Sequence, residues 1–338
     1  MKLSIVDVSP VLPGQSRHQT FNNTIELAQH AERLGYSRIW VAEHHGAASI
    51  AGRAPEVLIP VIAANTSTIK VGSGSILLNH YSPFKVAEVF CTLNELFPGR
   101  IDLGAGRATT GPVTDFALQQ ERNKQVHNNS DQQIAELVAW LDNSFPSDHP
   151  FAKAPIATLE TRPDLHLLGS SPWSAMAASE LGLRYVFAGF INQQGAVQNI
   201  HHYRTNFKPA QGHAGVQKPE AILAVHVVCA DTEEEAARLL APVHVMYRNL
   251  TQGRIDAMML SAADAINELG AVPVIEKYIN GSGIPPKFIA GTFASVKQQL
   301  IALTNDLDLE ELIIQDLVID HKARLHSYEL LSGLIGEL

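Results

Sequence analysis

The sequence predicts a single (β/α)₈ barrel, an α/β fold, and three observations point to that fold class. Short runs rich in β-branched residues alternate with helical patterns along the whole chain. The strand runs are apolar almost throughout, as in parallel sheets that are covered by helices. The 338 residues contain no linker rich in Gly, Ser and Pro. We therefore expect one domain over residues 1–338, in preference to an open doubly wound sheet.

The predicted elements follow one another in a regular order. Eight segments are predicted as strands: 3–8, 37–44, 68–78, 100–107, 164–171, 184–189, 222–231 and 311–318. Helices are predicted from Thr20 to Gly35, over 55–65, 84–96, 131–143, 173–182, 194–207 and 232–247, after a cap at Thr292, and over 321–335. Gly35 suits the left-handed position that ends many helices.

Two longer segments interrupt the alternation. Residues 108–130 are polar and are predicted as a long loop after the fourth strand, and residues 249–286 are predicted as a helical excursion. Both insertions follow strands, so they would lie at the carboxyl-terminal face of the barrel. Mobile lids over active sites are common at that face.

Composition limits the partners that we expect. The chain has 25 basic and 34 acidic residues, a formal charge of −9, which makes nucleic acid an unexpected partner. The start MKLSIVDVSP does not resemble a signal peptide, and no apolar stretch approaches the ~18 residues of a membrane helix. Cys91 and Cys229 lie in apolar runs and are expected to be buried thiols. We expect a cytoplasmic protein without a membrane partner.

The second predicted strand ends in Glu43-His44-His45. Adjacent side chains on a strand point to opposite sides, so only one of the two histidines can face the barrel mouth. Such an imidazole can exchange protons near neutral pH, or it can be a hydrogen-bonded structural residue. The alternation argues against a metal site made from this pair, and no other metal site is predicted.

Two further strand ends carry residues suited to an anion. Arg107, in the stretch Gly104–Ala108, offers a fork of donors beside glycines that let a ligand approach the backbone; a tight turn with a solvated arginine is the alternative. Ser170, Ser171 and Ser174 surround Pro172 at the start of a predicted helix. Its free N–H groups and hydroxyls can hold a phosphate, or the serines can be ordinary caps.

Four stretches, in this order and spacing, resemble the bacterial luciferase-like family of flavin-dependent monooxygenases over nearly the whole chain. They are LSIVDVSPV, RIWVAEHH, KVGSGSILLNHYSPFKVAEVFCTLNELFPGRIDLGAGRA and LHLLGSSPWSAMAASELGLRYVFAG. The Asn79-His80-x-Ser82-Pro83 and Leu103–Ala108 stretches resemble a subgroup of small single-chain members.

The resemblance implies a flavin mononucleotide (FMN) site in the barrel mouth. It places Arg107 and the helix start with Ser170, Ser171 and Ser174 at the phosphate. It places Ala42, Gly74 and Ser75 beside the flavin ring, with a cis peptide common in the family at Gly74-Ser75. His44 corresponds to the family's catalytic, proton-handling histidine.

The resemblance also implies a function. Reduced FMN from a separate flavin reductase would react with dioxygen, and a small organic substrate would be oxygenated. Members of the family are often homodimers, which we expect here. Alternatives are a deazaflavin (F420)-dependent oxidoreductase on the same fold, a non-catalytic flavin-binding paralogue, and a metal-dependent barrel hydrolase, for which no ligand cluster has the expected spacing.

Overall fold

The computed structural model describes residues 1–119, 129–154, 156, 162–254 and 256–336. The strands are β1 (Lys2–Asp7), β2 (Arg38–Val41), β3 (Lys70–Ser73), β4 (Ile76–Leu77), β5 (Ile101–Gly106), β6 (Asp164–Gly169), β7 (Arg184–Ala188), β8 (Ala221–Cys229), β9 (Ile289–Gly291) and β10 (Glu311–Gln315). The helices are α1 (Arg17–Leu34), α2 (Pro55–Ala64), α3 (Pro83–Leu96), α4 (Pro112–Leu118), α5 (Ser130–Asp142), α6 (Pro172–Leu181), α7 (Ala196–Thr205), α8 (Glu233–Thr251), α9 (Ala262–Leu269), α10 (Phe293–Leu307) and α11 (His321–Ser332).

Eight parallel strands close into a barrel, which confirms the predicted fold. The ring runs β1-β2-β3-β5-β6-β7-β8-β10, and it closes where Lys2 of β1 pairs with Glu311 of β10. On its other side β10 pairs with β8, with Leu312 opposite Leu223. The two remaining strands lie outside the ring, since β4 pairs only with β5 and β9 only with β8. All eight strands that the sequence predicts are in the ring.

Two layers of apolar side chains, one outside and one inside the ring of strands, stabilise the barrel. Between strands and helices, Leu3 and Ile5 of β1 pack in one cluster with the buried stripe of α1. That stripe falls at Thr20, Asn23, Thr24, Leu27, Ala28 and Ala31, the spacing of one helix face. The alternate side chains of the strands, such as Val6 and Trp40, fill the barrel interior with residues of β7 and β8. Each large apolar side chain buried this way contributes about 1.5–3 kcal/mol.

Helix ends agree with the sequence except at the first one. Gly35 ends α1 with φ 84°, and Thr292 caps α10 by accepting a hydrogen bond from the Ser295 N–H. The prediction that α1 begins after Thr20 is wrong: the helix begins at Arg17, because the Ser16 side chain accepts the Gln19 N–H and caps it there.

The third predicted strand is not continuous. It consists of two pieces, residues 70–73 and 76–77, and the second piece pairs with β5. The Gly74-Ser75 peptide bond between them is cis. The expectation of a structureless loop over 108–130 is also wrong in part, since α4 lies within it; residues 120–128 lie outside the described residues. The excursion at 249–286 contains the end of α8 and all of α9, and β9 follows it without a sequence signal.

Charged residues close the amino-terminal end of the barrel. Arg38, at the start of β2, donates to Asp102 of β5 (2.8 Å) and to Glu311 of β10 (2.8 Å). The indole of Trp40 donates to the same Asp102 carboxylate, also at 2.8 Å. Lys70 pairs with Asp164 beside them. This end of the barrel is filled, which leaves the opposite end for a ligand.

The two cysteines are buried and unpaired, as the sequence predicts. Burial raises the pKa of Cys91 to about 11 and that of Cys229 to about 12, so neither is a reactive thiolate. No helix in the described ranges is long and apolar enough to cross a membrane.

Candidate active site

A cavity of about 850 Å³ opens at the carboxyl-terminal end of the barrel. It lies between the ends of β5 and β6, the first turn of α6 and the inserted helix α4. The lining residues are Asn79, His80, Arg107, Ala108, Thr109, Pro112, Asp115, Phe116, Gln119, Asn129, Ser130, Leu168, Gly169, Ser170, Ser171, Trp173 and Ser174. Its size is that of a cofactor site.

Arg107 forms one wall of the cavity, directly after β5. Its guanidinium carbon lies 4.4 Å from the ring centre of Trp173, and Nη1 donates to Ser130 Oγ at 3.3 Å. The Trp173 indole N–H in turn donates to Asp131 at 2.5 Å. The arginine is therefore supported on an aromatic face at the wall of the cavity, and a guanidinium is a suitable donor for an anion.

The start of α6 forms the facing wall. Ser171 is the N-cap residue and Pro172 the first helical residue, so the N–H groups of the first turn point toward the cavity. The Ser174 hydroxyl is buried and donates to the Ser171 carbonyl at 2.7 Å. The sequence predicts that the Ser171 and Ser174 hydroxyls help to hold a phosphate, and both residues line the cavity together with Ser170 and the first turn of α6.

Two glycines let serine side chains pack closely beside the ends of β5 and β6. A Cβ at Gly106 would lie 2.5 Å from Ser75 Oγ, and one at Gly169 would lie 2.4 Å from Ser174 Oγ. Contacts that short do not occur, so any larger residue would displace the serine behind each glycine. The first contact also shows that Ser75 lies beside the end of β5, next to Arg107.

The residues predicted beside a flavin ring lie at the ends of β2 and β3. Gly74 contacts the barrel interior, because a Cβ there would lie 3.0 Å from both Trp40 and Val6. The Gly74-Ser75 bond is cis. Ala42 is 3% exposed and its N–H donates to the Asp7 carbonyl. These positions adjoin the 850 Å³ cavity through Ser75 but do not form its wall.

His44 and His45 have different surroundings. His45 donates to Glu43 Oε1 at 2.6 Å, and the buried Glu43 also accepts the Tyr81 hydroxyl (2.6 Å) and the Leu77 N–H (2.8 Å). His44 is left out of this network: its Nδ1 is buried and has no hydrogen-bond partner among the described residues. Burial lowers the pKa of His44 below its usual value of 6.5, so the ring is neutral at neutral pH.

Helix α4 is attached to the cavity wall by residues that the sequence analysis did not assign a role. The Asn79 amide exchanges hydrogen bonds with the backbone of Ala108 at 3.1 and 3.3 Å. His80 lies 3.7 Å from Asp115 of α4, whose carboxylate also accepts the N–H and hydroxyl of Thr110. No group of three metal-ligating side chains occurs in the part of the chain that the structure describes.

The structure brings Arg107, Ser170, Ser171 and Ser174 together around one cavity and places Ser75 behind it. Ala42 and Gly74 adjoin the barrel interior, and His44 follows the end of β2 with its Nδ1 buried. The sequence analysis missed Trp173 and Glu43 as functional candidates, although each directly neighbours a residue it named. Their partners Asp131 and Tyr81 are far away in sequence, and no local pattern reveals those contacts.

Known proteins resemble the chain over nearly its whole length. The family model for luciferase-like monooxygenases matches residues 1–299. The chain belongs to that family. A luciferase-like monooxygenase of Escherichia coli (strain K12) is 34% identical over 99% of this chain and 97% of its own length. The N-acetyl-S-alkylcysteine monooxygenase of Bacillus subtilis (strain 168) is 36% identical over 99% and 98%.

Solved structures of other proteins share the fold. Apo-MsnO8 superposes with a TM-score of 0.87 at 38% identity, over 98% of each chain. The oxygenating constituent of 3,6-diketocamphane monooxygenase from Pseudomonas putida, solved with FMN, has a TM-score of 0.70 at 22% identity over 98% and 96%. An F420-dependent secondary alcohol dehydrogenase has a TM-score of 0.64 at 14% identity over 99% and 98%. The barrel thus occurs with both cofactors.

Proposed function

We propose that this luciferase-like protein is an FMN-dependent monooxygenase that oxygenates a small organic substrate with dioxygen. The observation that supports the proposal is the cavity of about 850 Å³ between Arg107 and the start of α6. A helix N-terminus and an arginine fork are together suited to a phosphate group. The family membership of the chain supports the same reaction class.

The residues present fit FMN in two respects. Arg107 and the first turn of α6 supply donors at one end of the cavity. The Nδ1 of His44, which is buried and has no hydrogen-bond partner among the described residues, supplies an acceptor after β2.

Each residue then has a distinct task. Arg107 and the N–H groups after Ser171 would bind the phosphate, with Ser170 at the same wall. Ala42, Gly74 and Ser75 would bound the ring on the side of β2 and β3, where no bulky side chain intervenes. When bound, reduced FMN supplies the electrons and activates dioxygen. The cavity walls exclude water from that chemistry.

His44 would hold or move a proton at Nδ1. Because burial lowers its pKa, the imidazole is neutral at neutral pH and can accept a proton there. The charge of Glu43 raises the pKa of His44 by less than burial lowers it, and the hydrogen bonds of that carboxylate go to His45, Tyr81 and the Leu77 N–H. His45 and Glu43 are positioning residues, which hold the chain after β2.

The proposal includes partners. A separate flavin reductase would supply reduced FMN, since a relative from Acinetobacter baylyi, 23% identical over 73% of this chain, is named as the oxygenase component of a flavin-dependent trigonelline monooxygenase. A homodimer is proposed through α2, where Val57 is 64% and Val61 42% exposed. N-acetyl-S-alkylcysteines are the first substrates to test, because a relative 36% identical over nearly its whole length is named for them.

The test is incorporation of labelled oxygen. The protein is supplied with a flavin reductase, NADH, FMN, isotopically labelled dioxygen and N-acetyl-S-benzylcysteine, or an aldehyde of similar size. We expect a product that carries one labelled atom, which mass spectrometry detects, and no such product from His44→Ala. Product oxygen that comes from water, or turnover that requires F420 in place of FMN, would contradict the proposal.

A further inference from the structure

A cluster of aromatic and basic side chains lies at the end of β8, away from the phosphate wall. His226 of β8 donates or accepts a hydrogen bond with the Tyr247 hydroxyl of α8 at 2.8 Å. Its ring stacks on Phe288 with centres 5.2 Å apart, and Phe190 lies 5.1 Å away on another side. Lys287 Nζ lies 3.7 Å from the ring centre of Tyr247. We call these five residues the β8 cluster.

The β8 cluster faces the barrel mouth. His226 lies two residues from both Ala224 and Val228, so the three side chains are on the same face of β8. Ala224 and Val228 pack in the interior cluster that includes Trp40. The segment that carries Lys287 crosses the end of β7, since Pro285 Cγ would lie 3.4 Å from a Cβ on Gly189. The cluster therefore belongs to the carboxyl-terminal end of the ring.

Ring order places this cluster across from the predicted flavin-ring residues. Counting β3, β5, β6, β7, β8 gives four steps in a ring of eight, so β8 is the strand opposite β3. A flat ligand that lies against Gly74 and Ser75 at the end of β3 turns its other face toward the β8 cluster. A second reactant bound on that side would lie between this ligand and the β8 cluster.

Lys287 is the charged member of the cluster. No carboxylate pairs with it among the described residues, whereas Lys277 in the same segment pairs with Glu233 at 2.7 Å. The nearby carboxylate of Glu276 is exposed, and its charge favours the protonated form of His244. The ring centre of His244 lies 5.0 Å from that of Phe288. His226 is neutral at neutral pH, since burial lowers its pKa to about 4.

We infer that the β8 cluster is the substrate-recognition site, and that Lys287 binds a carboxylate on an otherwise apolar or aromatic substrate. The rings of Tyr247, Phe190 and Phe288 supply the apolar contact area. The ammonium supplies one ion pair in a partly desolvated place, where such a pair is stronger than at a surface. Burial lowers the pKa of Lys287, and a bound carboxylate would offset that desolvation.

This assignment rests on the proposed function, because it deepens the description of the same site by naming the substrate class. It differs from a purely structural role for Lys287 in one measurable respect. A lysine that only packs on Tyr247 would not distinguish an acid from the corresponding uncharged amide. A lysine that binds substrate would do so.

The test measures binding by calorimetry on the full chain, with and without FMN. The probes are N-acetyl-S-benzylcysteine and 3-phenylpropionate, each compared with its own carboxamide. We expect each acid to bind at least about tenfold more tightly than its amide, a difference of about 1.4 kcal/mol. Lys287→Gln should remove that preference and Lys287→Arg should retain most of it. The matched control Lys277→Gln should leave it unchanged.

Three results would overturn the assignment: equal affinity for acid and amide in the unmodified protein, a preference that survives in Lys287→Gln, or no binding of either acid at millimolar concentrations. FMN binding is recorded separately for each variant. If FMN fails to bind while the acid preference depends on Lys287, the proposed function fails and the carboxylate site stands. If FMN binds and the preference is missing, only the carboxylate site fails.

Discussion

The two ends of the barrel use charged side chains differently. At the amino-terminal end Arg38 lies between Asp102 and Glu311, all three on strands of the ring, and their hydrogen bonds are 2.8 Å long. At the carboxyl-terminal end Arg107 lies over an indole beside a cavity of about 850 Å³. The first arrangement is complete without a ligand. The second presents donors to a space, which is where binding and chemistry are expected in this fold.

Among the variants that distinguish the two ends, His44→Ala should have the largest effect, and that effect should be on turnover. Loss of a proton-handling group typically lowers turnover about 10²–10⁴-fold, and we expect that loss here with FMN affinity nearly unchanged. Steady-state rates and flavin titration of the variant measure the two quantities. The control is His201→Ala on the exposed face of α7, which should keep full turnover. Equal activity of His44→Ala and the unmodified protein would remove the catalytic role.

At the amino-terminal end, Arg38→Gln should lower the free energy of unfolding. Removing this cation leaves the buried Glu311 without its ion-pair partner and leaves Asp102 with only the longer contact to Lys70 at 3.9 Å. Breaking a buried pair in this way typically costs about 3–5 kcal/mol. Urea unfolding measures the loss. Asp102→Asn should cost less, because burial already raises the pKa of Asp102 and disfavours its charge. Lys85→Ala, at the exposed pair with Glu88, should cost less than about 1 kcal/mol.

Stability should also decline toward acid pH through buried histidines at both ends. His226 has a pKa of about 4 in the folded chain and about 6.5 when unfolded. Between those values only the unfolded chain takes up the proton, so stability is lost as pH falls from about 6.5 to about 4. One such group contributes about 3 kcal/mol. Burial also lowers the pKa of His166 at the other end, which adds to the loss.

Unfolding free energies measured across this pH range, for the unmodified protein and His226→Phe, check the prediction. The variant should show a shallower decline than the unmodified protein. His201→Phe, on an exposed helix face, should follow the unmodified curve. A pH dependence that is identical in all three proteins would show that His226 is not buried and neutral.

Arg107→Ala should have the smallest effect of these variants in free-energy terms, and that effect should be on FMN affinity. A hydrogen bond to a charged group typically contributes about 1.5–3 kcal/mol, so FMN affinity should fall about 10–100-fold. Arg107→Lys should keep part of the affinity, since it keeps the charge but loses the two-pronged geometry. Unfolding free energy should change little in either variant, in contrast to Arg38→Gln. A large loss of stability in Arg107→Ala would mean that both ends are structural.

The sequence was sufficient for the fold because its signals are local. Strand runs, the glycine that ends α1 and the threonine that caps α10 each depend on neighbours within one turn or one strand. The short β9 had no such signal, and the cis bond at Gly74-Ser75 was expected only from the family resemblance. The Ser16 cap is present in the sequence, yet Thr20 has the same capping chemistry, and local pattern does not decide between them.

The site could be predicted less completely, for a physical reason. Arg107 and Ser171 are predictable because they follow strands, and the parallel barrel brings strand ends together. The hydrogen bond from Trp173 to Asp131, and those that Glu43 accepts from Tyr81 and Leu77, depend on tertiary contacts. The pairing of Arg38 with Glu311 joins residues 273 positions apart. No spacing rule in one sequence reports such a contact.

Spectroscopic titration of the protein with FMN, oxidised and reduced, and with F420 in parallel tests the central claim most directly. The cavity between Arg107 and α6 predicts saturable FMN binding at micromolar concentrations or below, weaker binding of F420, and weaker FMN binding by Arg107→Ala. Failure of both FMN forms to bind, or clear preference for F420, would contradict the assignment of this end of the barrel to FMN.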